Sequence, residues 1–280
     1  MSSPSRHVGI DDGRLTVAGD FVWLLHRHRL DTFESFYDES LVGKPLRVVG
    51  RRANLRFTLA GDAGRKLGVF MKRHEPTGFP EKIASWLRFR RPRTAARAEW
   101  ENIRRLAGIG IATAAPVALG EDPATGRSFL ATAELERAVP ADDFARARFA
   151  SDDADAVAAR RRFARDLGEL VRRLHSARLT HRDLYLCHVF VRESAGDFLL
   201  HLIDLQRVER CVLRRWRVKD LAQIEFSRPP GTFTRTDGLR FLHACFAADR
   251  LDAEQKGLAA AALRKAGRMR RRERPKDARR

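Results

Sequence analysis

The 280-residue chain reads as an α+β protein in two lobes, a small antiparallel β-sheet with one helix and then a mainly helical part. Three observations predict this. Strand-like runs at Leu46 to Val49, Leu55 to Leu59 and Leu67 to Lys72 are separated by turns at Gly50-Arg51-Arg52 and Gly61-Asp62-Ala63-Gly64, the layout of a three-stranded meander. One helical stretch, Thr94 to Ala107, precedes two further strands at Pro116 to Leu119 and Ser128 to Ala133. Past a link at Glu134 to Pro140, helical periodicity dominates.

Taken in order, residues 1–44 mix short apolar patches, Phe21 to Leu25 and Phe33 to Tyr37, with Asp, Arg and His, and predict an N-terminal extension with a helix or two. Residues 45–136 form the sheet lobe, 137–267 the helical lobe and 268–280 a basic tail. Lys72 ends the apolar run Val69-Phe70-Met71. It is either an edge-strand charge reaching solvent or a phosphate ligand. In the following helix Ala96, Trp100, Ile103 and Ala107 recur at spacings of three and four, and Glu99 borders that face. A carboxylate there is either on the surface of a rotated helix or paired with a lysine beneath it. Asp155 to Arg178 carries an apolar stripe, Phe163, Leu167, Leu170, Val171 and Leu174, which is core. Helical patterns then cover Val212 to Phe226, Gly238 to Ala248 and Ala253 to Arg270.

The chemistry concentrates between Thr180 and Asp204. A polar loop, His181-Arg182-Asp183, follows the long helix, and two strand-like runs, His188 to Val191 and Phe198 to Ile203, turn at Ala195-Gly196-Asp197. Such a hairpin keeps its ends together, so Asp183 and Asp204 would face one cleft. Two close carboxylates repel unless a cation or a proton lies between them. One acid accepting a hydroxyl proton and another holding magnesium is the arrangement of phosphoryl transfer. The competing reading is a polar turn whose aspartate caps a neighbour.

Composition narrows the partners. Against 36 Asp and Glu stand 55 Lys and Arg, a formal net charge of +19, which favours nucleic acid, a phosphorylated glycan or an anionic membrane surface. Cys187, Cys211 and Cys245 are too widely spaced for a disulfide framework or a zinc finger, which fits a reducing cytosol. The N-terminus lacks the apolar core of a signal peptide, and no apolar run approaches the ~18 residues of a membrane span. The expectation is a soluble protein, at most peripheral.

Lysine on a third strand, glutamate on the next helix, His-Arg-Asp and a strand-ending aspartate occur in an order that resembles the protein-kinase-like fold. The wording THRDLYLCHVFV, HLIDLQR, RWRVKDL and AEWENIRRLAGIGIATAAPVALG resembles the lipopolysaccharide core kinases, the heptose and Kdo sugar kinase family of Gram-negative bacteria. The likeness covers Arg47 to Ser227. It implies an ATP-dependent, magnesium-using kinase that phosphorylates a sugar hydroxyl of the inner-core glycolipid at the cytoplasmic face of the inner membrane. It also implies roles: Asp183 as the catalytic aspartate that takes the acceptor hydroxyl's proton, Asp204 as magnesium ligand, Lys72 on the α/β-phosphates and Glu99 orienting Lys72. Asp220 would brace the catalytic loop, and His181 would pack rather than react.

The departures from the protein-kinase pattern carry their own expectations. The first turn is not Gly-x-Gly-x-x-Gly, so Arg51 or Arg52 would bind phosphate in place of backbone amides. His188 stands where a metal-binding Asn is common, and imidazole is a poor magnesium ligand. Leu205-Gln206 after Asp204 argues against a switchable activation segment. Two rival functions remain: a kinase of another small hydroxyl compound or of protein side chains, and an inactive basic module that binds anionic lipid or nucleic acid. No recognisable nucleic-acid motif supports the latter.

Overall fold

A computed structural model describes residues 6–38, 41, 47–49, 52–76, 93–194, 196–210 and 213–273. The chain divides into two compact units, Met1–Arg105 with Ala114–Leu135, and Leu106–Thr113 with Glu136–Arg280.

The first unit holds β1 (His7–Ile10), β2 (Leu15–Ala18), α1 (Val22–Arg27), β3 (Arg47–Val49), β4 (Arg52–Ala60), β5 (Lys66–His74) and most of α2 (Ala95–Ala107). The short strand β6 (Ala112–Thr113) belongs to the second unit; β7 (Pro116–Glu121) and β8 (Ser128–Ala133) return to the first. Its strands form one antiparallel sheet in the order β1-β2-β7-β8-β5-β4-β3.

Strand alternation selects the buried face. Leu55, Phe57 and Leu59 on β4 and Val69 and Met71 on β5 point inward, while Phe70 between them is exposed. They pack with Leu24, Leu25, Phe33, Phe36 and Phe129; the Phe36 and Phe129 rings stack at 4.4 Å. Phe129 pairs across the ladder with Gly120, where any added Cβ would overlap its ring, so the position takes glycine.

The N-terminal segment is more than the extension with a helix or two that its patches suggest. Besides α1 it contributes β1 and β2, and β2 pairs with β7 to continue the sheet. The physical reason is the buried alternation of Leu15 and Val17, two apolar positions too short a run to stand out by periodicity.

The second unit carries β9 (Val139–Pro140), α3 (Ala141–Arg148), α4 (Ala154–Ser176), β10 (Leu179–Thr180), β11 (Val189–Ser194), β12 (Asp197–Leu202) and β13 (Glu209–Arg210). Three helices follow, α5 (Arg214–Ser227), α6 (Arg235–Phe246) and α7 (Ala253–Glu273). The predicted stripe of α4 is buried throughout. Gly168 lets α4 approach α6 so closely that a Cβ there would overlap the Phe241 carbonyl oxygen. Asp237, in a capping box with Thr234 at the start of α6, lies 3.0 Å from Arg160 of α4 in a buried ion pair. The basic stretch expected as a tail from Arg268 is helical as far as Glu273, because α7 simply continues.

Candidate active site

In the first unit the structure brings Lys72 and Glu99 together. β5 lies between β4 and β8, so Lys72 is on an interior strand, opposite Asn54 and Leu130, and not on a sheet edge. Its ammonium donates to Glu99 Oε1 at 2.8 Å. Glu99 is buried, its side chain only 6% exposed. A buried carboxylate is costly unless paired, and Lys72 supplies the charge. Arg51 lies outside the described residues. Arg52 begins β4 opposite His74, and its side chain is outside them as well.

In the second unit, α4 and β10 deliver the chain to His181-Arg182-Asp183, a loop shaped by a left-handed Arg182 at φ 69°. Asp220 of α5, fully buried, accepts the amides of His181 at 3.0 Å and of Arg182 at 2.8 Å. It also lies 3.2 Å from His175 Nε2. Gln223 accepts the Leu184 amide at 3.0 Å and donates to the Arg182 carbonyl at 3.1 Å, and Ser227 accepts the Leu186 amide at 2.9 Å. His181 is buried, with Nε2 3.0 Å from the Ile203 carbonyl. Burial depresses its pKa, against weaker raising by Asp220, so the ring packs as a neutral group.

The predicted hairpin forms with Val189 opposite Leu202, and the Ile203 amide donates to the His188 carbonyl at 3.0 Å. Asp204 follows in a left-handed conformation, φ 56°, of the kind that sparse backbone geometry marks at functional sites. His188 links both aspartates: Nδ1 is 2.8 Å from the Asp183 carbonyl, and Nε2 is 3.9 Å from Asp204 Oδ2. Burial alone would lower the His188 pKa. The Cys187 side chain, the Asp183 carbonyl and the Asp204 charge outweigh it and push it up to about 9.

Among the described residues no three His, Cys, Asp or Glu side chains form a metal cage. Magnesium is nevertheless held by as few as one or two carboxylates, its shell filled by phosphate oxygens and water. Asp204 fits that pattern. Imidazole is a poorer magnesium ligand than an oxygen.

Two groups beside Asp183 escaped sequence reasoning. Arg207 donates to Asp183 Oδ2 at 2.8 Å, and Lys219 approaches Oδ1 at 3.4 Å. Arg207 stands three residues after Asp204 and Lys219 directly before Asp220, so adjacency to named positions was the available signal. Gln223 and Ser227 carried none, since a polar side chain facing inward from a helix looks like one facing water.

The sequence matches the lipopolysaccharide kinase (Kdo/WaaP) family over residues 39–245. It is 38% identical over 229 residues to a lipopolysaccharide core heptose(I) kinase WaaP of Pseudomonas aeruginosa, covering 77% of this chain and 81% of that protein. A protein of the same description from Escherichia coli is 34% identical over 253 residues, 86% of this chain and 92% of the relative. The fold superposes with a TM-score of 0.67 on a solved structure described as WaaP in complex with acyl carrier protein, 33% identical and covering 91% of this chain and 99% of that one. The chain therefore belongs to the lipopolysaccharide kinase (Kdo/WaaP) family, and it is a kinase with an alcohol group as acceptor.

Proposed function

We propose that this kinase transfers the γ-phosphoryl group of ATP to a heptose hydroxyl of the lipopolysaccharide inner core. The observation that carries the reading is the Asp183 loop, held by Asp220, in a chain similar to proteins described as heptose(I) kinases. Asp183 takes the proton of the acceptor hydroxyl. Lys72 binds the α/β-phosphates and Glu99 orients it. Asp204 holds magnesium, which when bound neutralises charge on the phosphate oxygens. His188 ties the Asp183 and Asp204 segments together, and an imidazole suits magnesium poorly. Arg51 and Arg52 remain the proposed phosphate contacts of the first turn.

The acceptor is a membrane lipid, and no helix among the described residues is long and apolar enough to cross a membrane. We place the enzyme at the cytoplasmic face of the inner membrane, drawn to anionic lipid by its charge of +19. Binding to anionic vesicles that is lost at ~0.5 M salt supports this, and salt-insensitive binding does not.

A second proposal concerns a partner. The solved relative is described in complex with acyl carrier protein. In this chain a pocket of about 380 Å³ in the second unit is lined mainly by apolar groups, Phe163, Leu167, Leu221, Ile224, Phe241 and Leu263 among them. We propose that the protein binds an acyl carrier protein too, with the pocket taking the apolar chain of its cargo. Co-purification or gel-filtration with acylated and unacylated carrier tests it, and equal affinity for the two would remove the pocket from the account.

The function itself is tested by ATP consumption with magnesium, with and without dephosphorylated core glycolipid, beside Asp183→Asn. Turnover that depends on the glycolipid and disappears in the variant is expected. ATP binding without glycolipid-dependent turnover would point to another acceptor.

A further inference from the structure

The catalytic loop carries no cation aimed at its own aspartate. Arg182, next to Asp183, is committed elsewhere: its Nη1 lies 2.6 Å from Glu209, and its guanidinium stacks 3.9 Å from the centre of the Trp216 ring. His181 is neutral and buried. Both cations on the Asp183 carboxylate come from outside the loop, Arg207 on Oδ2 and Lys219 on Oδ1.

These two cations are held very differently. Arg207 sits on the short turn after Asp204, its side chain 49% exposed. Lys219 is only 21% exposed and has three attachments on one small patch. It donates to the Arg182 carbonyl, approaches Asp183, and lies 5.8 Å from the centre of the Trp216 ring. It also belongs to a rail along α5. Lys219, Gln223 and Ser227 are spaced by four and so share one helix face, with Asp220 beside them. That face meets loop positions 181, 182, 184 and 186 in turn. Lys219 and Asp220 grip the Arg182 residue from both ends, carbonyl and amide. Of the rail's members, Lys219 reaches past the backbone to the Asp183 carboxylate.

We propose that Lys219 is a positioning residue for phosphoryl transfer, locking the Asp183 side chain in the orientation that receives the acceptor's proton, while Arg207 is the displaceable cation that yields to the acceptor hydroxyl. The inference rests on Asp183 being the proton acceptor as proposed above. Its physical basis is that a carboxylate rotates freely unless a second contact fixes it, and that misplacement by about 1 Å costs about 10²-fold in rate. An ammonium held on a helix and anchored to the Arg182 carbonyl and beside the Trp216 ring supplies that contact with little entropy left to lose.

The test compares wild type, Lys219→Met, Lys219→Arg and Arg207→Ala, all as the full chain, in the glycolipid-dependent assay with magnesium-ATP, alongside thermal melting. Lys219→Met should lose about 10²-fold in kcat, with KM for ATP within about threefold and little change in melting temperature. Lys219→Arg should recover at least about tenfold of that loss, because a cation stays beside the Asp183 carboxylate. Arg207→Ala should leave kcat much closer to wild type and act mainly on KM for the acceptor. Near-normal kcat in Lys219→Met overturns the proposal, as does an arginine variant no better than the methionine one. A kcat loss matched by a collapse in melting temperature also overturns it, since that is a purely structural role. A wild-type enzyme without turnover would instead sink the functional reading beneath it.

Discussion

The ammonium of Lys72, on interior strand β5, lies 2.8 Å from the Glu99 carboxylate of α2, and the glutamate is the more deeply buried partner. This asymmetry decides what each deletion does. Without Lys72 the enzyme loses its proposed phosphate contact and the cation beside the buried Glu99 carboxylate; without Glu99 it keeps a lysine that is less well aimed. Lys72→Ala should therefore lower kcat/KM for ATP by about 10²- to 10³-fold, and Glu99→Ala by less. Steady-state kinetics at varied ATP check the order. The opposite ranking would end the pairing as a functional unit.

Asp183→Asn keeps the size of the side chain and removes the basicity. Loss of a positioned general base costs about 10²- to 10⁴-fold, so turnover should fall by at least that range with the melting temperature nearly unchanged. A rate assay paired with a melting curve decides it, and substantial residual activity would move the proton acceptor elsewhere.

Asp220 supports the loop from beneath. Replacing it with alanine strands the buried amides of His181 and Arg182, each worth about 1–3 kcal/mol when left without an acceptor. Asp220→Ala should destabilise the protein by about 2–5 kcal/mol in chemical denaturation and reduce kcat as well. Asp220→Asn, which retains an acceptor oxygen, should cost clearly less.

Gly168 sits where α4 crosses α6 with no room for a methyl group. Gly168→Ala should cost about 1–3 kcal/mol in urea unfolding, the usual penalty for overpacking, in spite of alanine's better helix propensity. A stabilised variant would show that the two helices are free to separate there.

His188 makes stability depend on pH in a defined direction. Folding raises its pKa from 6.5 to about 9, so the folded state holds the proton more tightly than the unfolded chain. The stabilisation is full below about pH 6.5 and is lost as pH rises through about 9; it is on the order of a few kcal/mol at most. Denaturation midpoints measured across pH 6 to 10 without magnesium should fall over this window in the wild type, and fall less in His188→Gln. Magnesium, a cation beside the same carboxylate, should move the window to lower pH.

Much of the architecture was legible because local pattern and tertiary demand agree. The alternation of β4 and β5, the stripe of α4 and the turn before β12 each state their own conformation, and the structure uses them as written. The candidate site residues stood out through order along the chain: a strand lysine, a helix glutamate, His-Arg-Asp, a strand-ending aspartate. Less visible was the N-terminal hairpin of β1 and β2, whose strands of four residues are too short for periodicity to register. α5 was legible as a helix but not as a support. It buries Asp220 and Gln223 beside Val218, Leu221 and Ile224, so polar and apolar positions do not sort onto opposite faces.

The sequence by itself determined the two-lobed α+β class and the family, since these follow from the order of residue types along the chain. Only the tertiary structure decided which charges meet. It placed Lys72 inside the sheet against Glu99, set Lys219 and Arg207 on Asp183, and put His188 between the Asp183 carbonyl and the Asp204 carboxylate. The reason is physical. Propensity and periodicity act over a few residues, whereas Coulomb energy and desolvation depend on distances between groups that lie 24 to 36 positions apart, as in the contacts of Asp183.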